Sequence, residues 1–417
     1  LRVALVNPNR YLEPPVIPLG IEYLAHYLDR EGHRVEVIDL AFSPHPHRDL
    51  REAVASFEPQ VIGFSLRNID TCLYHDNQFF LDEAAELITT CREISGAKVV
   101  IGGTALLAGP REVAEYLSCD HAVYGPGERA FPRLLGYLSQ GISPPRLVDG
   151  WESSYDREEV PERGRFVDYT PYLKERGVVG FATQSGCRGD CDFCLEAALP
   201  WRARHPRAVV EELKGLSRDG CAEFHLCDCE FNQDLDTAKT LLKEMAAAAL
   251  GVNWSLYMKP LPHDRALFRL LQESGAGSVT LSVDSHSLRR GAYSPSDLRS
   301  FVELAHERGM RVAVDLLAGF PDEGIDEVLS VLDLLRGVRP DTVGVNAWIR
   351  AYKYTAFGRS LRARPPAKGS VEGDDPDCIK PVFYNWLSTG DCRALIGGDP
   401  LFRIEGLERR SNYERLQ

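Results

Sequence analysis

Two separate series of alternating strand-like and helix-like runs constrain this chain most, because alternation at this spacing builds parallel α/β sheets. The first series predicts strands at 1–6, 35–38, 61–65 and 99–101, with helices at 21–30, 50–57 and 82–94. These strands are short, rich in Val and Ile, and end in turn residues such as Asn7-Pro8-Asn9, Ser65, Gly102-Gly103 and Gly125-Pro126-Gly127. The pattern is doubly wound and Rossmann-like, a class in which ligands bind outside the carboxyl ends of the strands. The second series predicts strands at 178–182, 223–227, 252–257, 278–283, 312–317 and 342–345, with helices at 207–218, 236–248, 265–273, 295–308 and 325–336. Six units fall short of a complete barrel, so a partial (β/α)6 barrel is expected, with active groups on the loops after its strands. At 417 residues the chain exceeds one ordinary core. The expected domains are 1–140, a Pro- and charge-bearing linker at 141–175, the partial barrel at 176–347, and an aromatic C-terminal extension at 348–417 that caps the barrel.

The loop after the first strand of the second series reads Cys187-Arg188-Gly189-Asp190-Cys191-Asp192-Phe193-Cys194. Three cysteines at C-x3-C-x2-C can wrap one corner of a [4Fe–4S] cubane and leave one iron for another ligand. A structural zinc knot is the competing reading, but it wants a fourth Cys or His at short spacing, and the next ones are Cys221 and His205. Where the second strand ends, the sequence runs Leu226-Cys227-Asp228-Cys229-Glu230. Glu230 follows directly on that strand, and a carboxylate there can bind the open iron through oxygen or contact a cofactor amine.

Composition narrows the partners. Acidic residues outnumber basic ones, 61 to 48, and the net charge of −13 offers no electrostatic footprint for nucleic acid. A small-molecule substrate is favoured. No apolar run reaches the roughly 18 residues that span a bilayer, so no membrane partner and a cytoplasmic location are expected. Eleven cysteines spread over a long α/β chain read as reduced thiols and metal ligands, not as a disulfide framework.

In the first half, the Gly-rich turns at Gly102-Gly103 and Gly125-Pro126-Gly127-Glu128 let a backbone approach a phosphate or a large flat ligand; such turns also serve ordinary packing. The turn after the third strand reads Ser65-Leu66-Arg67-Asn68. Arg67 has donors, no acceptor and a permanent charge, so it cannot ligate a metal. It reads equally as a surface Arg paired with Asp70.

Taken together, Asn7-Pro8, Pro18-Leu19-Gly20, Gly63-Phe64-Ser65, the two Gly-rich turns and the three-cysteine loop resemble the cobalamin-dependent radical S-adenosylmethionine (SAM) methylases. The resemblance implies a cobalamin-binding domain followed by a radical SAM domain with its [4Fe–4S] cluster on Cys187, Cys191 and Cys194. Cobalamin contacts are then expected from Ser65, Arg67, Asn68, Gly102, Gly103, Gly125, Gly127 and Glu128, and SAM contacts from Ser282 and Asp284. Two features depart from the wider family: D-x-H-x-x-G, whose His ligates cobalt, is absent, and so is the Gly-Gly-Glu motif after the second strand. With Arg67 under the corrin and Glu230 on the fourth iron, the chain is similar to the tryptophan 2-C-methylating branch of thiopeptide antibiotic biosynthesis. That branch implies SAM-dependent polar methyl transfer from methylcobalamin to C2 of the indole of L-tryptophan, with a reductant to restore cobalamin. Tyr257 can then accept or hold the indole proton, or serve as a packing aromatic. The alternatives are a radical methylase or cyclase acting on an sp3 carbon, and a B12/Fe–S sensor.

Overall fold

The computed structural model describes residues 1–153 and 156–408. The chain divides into two units: Leu1–Thr71 with Gln78–Gly180, and Cys72–Asn77 with the chain from Phe181 onward. The first unit alternates strand and helix as expected: β1 (Arg2–Asn7), α1 (Leu19–Arg30), β2 (Arg34–Asp39), α2 (Pro46–Phe57), β3 (Val61–Ser65), α3 (Leu81–Ile94), β4 (Lys98–Gly102), α4 (Pro110–Tyr116), β5 (His121–Tyr124), α5 (Gly127–Ser139) and β6 (Leu147–Asp149). All six strands are parallel, in the order β2-β1-β3-β4-β5-β6. The order reverses at β1, so the switch point lies between β1 and β3, where a doubly wound sheet opens a crevice. On one face Val3, Leu5, Val61, Val100 and Val123 pack against Ile21, Ala25 and Leu28 of α1 and Phe131, Leu134 and Leu135 of α5. Burying each such side chain contributes roughly 1.5–3 kcal/mol.

The stretch expected as a linker is built into this unit. Residues Leu147–Asp149 pair with β5 as the sixth strand, and α6 (Thr170–Lys174) follows. Three residues carry no readable period, which is why the strand is invisible in the sequence. Farther along, Arg163 Nε donates to Glu22 Oε2 at 2.6 Å, Gly164 N to Glu22 Oε1 at 2.7 Å, and the Tyr169 hydroxyl to Glu22 Oε2 at 2.6 Å. The segment is thus fastened to α1 through a buried carboxylate.

The second unit contains β7 (Gly180–Phe181), β8 (Gln184–Cys187), β9 (Leu199–Ala203), α7 (Pro206–Arg218), β10 (Glu223–Leu226), α8 (Leu235–Ala248), β11 (Asn253–Met258), α9 (Arg265–Glu273), β12 (Ala276–Asp284), α10 (Ser285–Arg289), α11 (Pro295–His306), β13 (Arg311–Leu317), α12 (Ile325–Val338) and β14 (Thr342–Asn346). Its tail adds β15 (Ile349–Arg350), α13 (Ala356–Ala363), β16 (Ser370–Glu372), β17 (Phe383–Asn385), α14 (Thr389–Ile396) and β18 (Phe402–Ile404). Side chains start several of these helices: Asp234, Asp264, Asp284 and Ser294 accept backbone N–H groups at the heads of α8, α9, α10 and α11.

The main sheet runs β18-β14-β13-β12-β11-β10-β7. The six expected barrel strands are present, and β18 from the extension pairs parallel with β14 as a seventh. The expected first strand at 178–182 is shorter, because Val178 bridges to Val16 instead. β8 and β9 form a separate antiparallel hairpin that brackets the cysteine loop, and β15, β17 and β16 form a small antiparallel sheet in the tail. Residues 72–77 also join this unit, with Tyr74 stacked on Trp348 at 5.3 Å between centroids and His75 set edge-on to it at 4.5 Å. No helix among the described residues is long and apolar enough to cross a membrane.

The Glu22–Arg163 pair generates a stability prediction. Both side chains are almost completely buried, so removing the cation leaves an uncompensated charge, which costs about 3–5 kcal/mol. Arg163→Met should lower the stability of the protein by that order in urea denaturation, and Glu22→Gln combined with it should recover part of the loss.

Candidate functional site

In the first unit the expected ligand edge lies at the carboxyl ends of β1, β3, β4 and β5. Ser65 ends β3 and pairs in register with Gly102, the last residue of β4. The turn after β3 is stapled to the turn after β4: Leu66 N donates to Gly102 O, Ala105 N to Leu66 O, and the Thr104 hydroxyl to the Arg67 carbonyl. Gly103 makes this contact possible. Its φ is +102°, and a Cβ there would meet Leu66 O at 2.2 Å. Gly125 is required for a similar internal reason, since at φ +83° its Cβ would meet the Trp151 ring at 2.6 Å. By contrast Gly102 and Gly127 have no neighbour closer than 3.5 and 3.9 Å to an added Cβ. Arg67 and Asn68 are exposed beside them, and Glu128 lies in the first turn of α5. An edge with Arg67 and Asn68 exposed after β3, and uncrowded glycines at the end of β4 and the start of α5, fits a broad ligand such as a corrin.

In the second unit, Cys187 is the last residue of β8, opposite Leu199 of β9, and Ala198 N closes the loop onto Gly189 O at 2.7 Å. Each sulfur of the motif receives one N–H from the chain. Gly189 N lies 3.3 Å from Cys187 Sγ, Glu196 N lies 3.4 Å from Cys194 Sγ, and Lys259 Nζ lies 3.8 Å from Cys191 Sγ. A hydrogen bond from Cys229, helped by Gly189 N–H, pulls the Cys187 thiol down to about 6, whereas burial pushes Cys194 up to about 12. Cys229 is the proton-holding partner and is pushed up by the same contact.

Glu230 is buried, and burial raises its carboxyl to about 8 against the opposing hydrogen bond from Ser282. Its Oε2 has no hydrogen-bond partner. An orphaned carboxylate oxygen deep in the protein is costly unless something absent from the bare chain satisfies it. Among the described residues no three His, Cys, Asp or Glu side chains are gathered closely enough to hold a single metal ion; in chemical kind, three thiols with N–H donors and one unsatisfied carboxyl oxygen suit a [4Fe–4S] cluster with a non-cysteine fourth ligand.

Parity along the strands shows which face carries chemistry. In β11, Trp254, Leu256 and Met258 are buried, and Ser255 and Tyr257 point the other way. Register adds His225 beside Ser255, Thr280 beside Tyr257, and Asp315 beside Ser282. A fully packed parallel sheet would be apolar on both faces; here one face is a polar row. Tyr257 sits edge-on to His225 at 5.6 Å, and His225 Nδ1 is 2.8 Å from the Ser255 hydroxyl. Glu230, Ser282 and Tyr257 are therefore placed with this face. Asp284 has a structural duty besides its expected one: its Oδ1 accepts Ser287 N at 2.6 Å as the cap of α10.

Lys259 directly follows β11, a strand end where the resemblance already expects SAM-contacting groups, and Cys229 reads in the sequence as a strand residue; the structure sets Lys259 Nζ against Cys191 and Cys229 against Cys187. Phe193, the aromatic between the last two cysteines, packs on Phe320 at 5.9 Å and belongs to a cluster with Ile349, Phe357 and Tyr384. Phe357 N also donates to Asp192 O at 2.8 Å, so the tail buttresses the cysteine loop.

Residues 10–135 match the B12 binding domain, and residues 181–335 match the radical SAM superfamily. The chain joins a B12-binding domain to a radical SAM domain. The cofactor set expected from the sequence, cobalamin, SAM and a [4Fe–4S] cluster, is the set that these two domain classes handle. Tryptophan 2-C-methyltransferase of Streptomyces laurentii is 24% identical, over 89% of this chain and 76% of its own length. Cytidylyl-2-hydroxyethylphosphonate methyltransferase of Streptomyces wedmorensis is also 24% identical, over 80% and 76%. The radical SAM methyltransferase TsrM from Kitasatospora setae, solved with cobalamin and a [4Fe–4S] cluster, superposes with a TM-score of 0.82 at 26% identity, covering 90% of this chain and 78% of that one. The chain is thus a relative of cobalamin-dependent radical SAM methyltransferases.

Because a cubane left on two thiolates loses both geometry and charge balance, the three cysteines should act as a unit. Cys191→Ala should fold normally by circular dichroism, yet lose the cluster in iron and sulfide counts after anaerobic reconstitution.

Proposed function

We propose that this chain methylates a carbon of a small aromatic substrate by polar methyl transfer, with C2 of the indole of L-tryptophan as the preferred acceptor. The observation that carries the polar reading is the buried, unsatisfied Oε2 of Glu230 beside the cysteine motif. If that oxygen fills the fourth iron, SAM cannot chelate the cluster, and reductive cleavage of SAM is suppressed. Indole C2 rests on the likeness to tryptophan 2-C-methyltransferase. The likeness to a phosphonate methyltransferase supports a second reading, radical methylation at an sp3 carbon.

When bound, SAM supplies the methyl group, cobalamin carries it, and the cluster is held by Cys187, Cys191, Cys194 and Glu230. The protein contributes binding and electrostatics. Arg67 offers only donors, so the exposed turn after β3 brings positive charge and hydrogen bonds to the cobalamin edge without a competing metal ligand. Ser65 and Asn68 border the same turn, and Gly102 and Gly127 leave the edge low enough for a flat ligand. On the polar face of the second unit, Ser282 orients the Glu230 carboxyl. Tyr257 presents a hydroxyl that can hold or accept the indole N–H proton, steadied by His225, which Ser255 fixes in turn. A reductant is needed to restore cobalamin after inactivation. The expected setting is the cytoplasm.

Two outcomes test this. Anaerobic incubation of reconstituted protein with SAM, cobalamin, reductant and L-tryptophan should yield 2-methyltryptophan with S-adenosylhomocysteine, and little 5′-deoxyadenosine. One 5′-deoxyadenosine per methylated product would transfer the assignment to the radical reading, and Glu230→Ala should raise reductive SAM cleavage above wild type. For the first unit, Arg67→Lys should retain cobalamin while turnover falls. Electron paramagnetic resonance of the cobalt(II) form should show no nitrogen superhyperfine splitting from an axial ligand.

A further inference from the structure

Lys259 supplies the N–H that faces Cys191, and three features bear on it, two at its side chain and one at its backbone. Its Nζ lies 3.8 Å from Cys191 Sγ. The space it occupies borders Gly189: an added Cβ would stand 2.1 Å from Lys259 Nζ and 3.3 Å from Cys187 Sγ, so a side chain there would displace the ammonium from its place. Its backbone is clamped by Asn232, a fully buried side chain on the turn that carries Glu230. Lys259 N donates to Asn232 Oδ1 at 3.0 Å, and Asn232 Nδ2 donates to Lys259 O at 2.9 Å and to Pro262 O at 2.8 Å. The Glu230 turn and the Lys259 turn therefore move as one piece.

We infer that Lys259 is a positioning residue for the iron–sulfur cluster, donating an N–H···S hydrogen bond to Cys191 and offsetting the negative charge of the assembled site. The inference rests on the reading that Cys187, Cys191 and Cys194 hold the cluster. Three thiolates and a carboxylate outweigh the positive charge of an oxidised cubane core, so the filled site is anionic and half-buried, where charge is poorly screened. An ammonium beside one sulfur lowers that cost. Reduction adds one more negative charge, so the same ammonium favours the reduced cluster and raises the reduction potential. A lysine that only held a carboxylate of SAM would donate no proton to a cluster sulfur, so the SAM-free cluster would lack the exchangeable-proton coupling, which separates the two.

The test uses full-length protein, reconstituted anaerobically and kept free of SAM. Iron and sulfide counts on the wild type come first, and an empty wild-type site would sink the cluster reading itself. Lys259→Met removes the cation; Gly189→Ala keeps the lysine but fills its space. Both should shift the cluster midpoint potential to more negative values in a spectroelectrochemical titration. Both should also lose one exchangeable-proton coupling of the reduced cluster in H2O/D2O electron–nuclear double resonance, whereas Lys259→Arg should stay near wild type. A cluster-bearing Lys259→Met protein with wild-type potential and couplings would overturn the inference. Loss of the cluster from both variants, with native circular dichroism, would support it. Loss from only one would overturn it, since both changes remove the same contact.

Discussion

A single buried carboxylate, Asp228, ties together the two halves of the second unit's site. It accepts from Thr183 N at 2.8 Å, from the Thr183 hydroxyl, and from Gln184 N at 3.2 Å. Burial pushes its carboxyl up to about 6 despite these donors, because withdrawing the charged form from water outweighs the hydrogen bonds that favour it. Gln184 extends the link. Its Nε2 donates to the Glu230 carbonyl at 2.6 Å, and its Oε1 accepts the Trp201 indole N–H at 2.6 Å. The β8–β9 hairpin that carries the cysteines and the turn that carries Glu230 are thereby fixed to each other without any metal. Residues held this way are ordered in the bare chain, and if they hold the cluster, binding it carries a smaller ordering cost.

The repetitive parts of the fold were legible in the sequence and the exceptions were not. Strands such as 278–283 and 312–317 announce themselves by runs of apolar residues ending in turns, and both appear in the sheet with their boundaries little changed. β6 and β18 are three residues each and take their stability from a neighbouring strand, a contact that no local pattern encodes. The three-cysteine loop could be found from spacing alone, but its hairpin could not, because Leu199–Ala203 is five residues long and carries a proline at its second position. The glycines show the limit most clearly. Gly102 and Gly103 look alike in sequence; the structure gives one an open outlook and presses the other against Leu66. Lys259 stands at a strand end in the sequence, but its nearness to Gly189, seventy residues away in the chain, is visible only in space.

The two domain classes place their cofactor-handling residues at strand ends, which is a property of the parallel sheets and is shared by any chain built this way. Acceptor choice has no such fixed address. The relatives that align with most of the chain act on an indole in one case and a cytidylyl phosphonate in another, so the common frame handles the methyl group and leaves the acceptor to local side chains. In this chain strand register sets Tyr257, His225 and Ser255 in a row on the polar face of the main sheet.

The aromatic buttress of the cysteine loop has a consequence for how the protein is made. Phe193 leans on Phe320, Phe357 and Tyr384, and Phe357 also holds the Asp192 carbonyl, so the loop borrows its shape from chain that lies more than a hundred residues downstream. A ribosome releases the cysteines long before it releases those partners. During that interval the thiols are exposed on an unsupported loop, vulnerable to oxidation and to stray metal ions. Delivery of iron and sulfide is thus best matched to the finished polypeptide, and growth conditions that slow translation or starve cluster assembly should yield a soluble but empty protein.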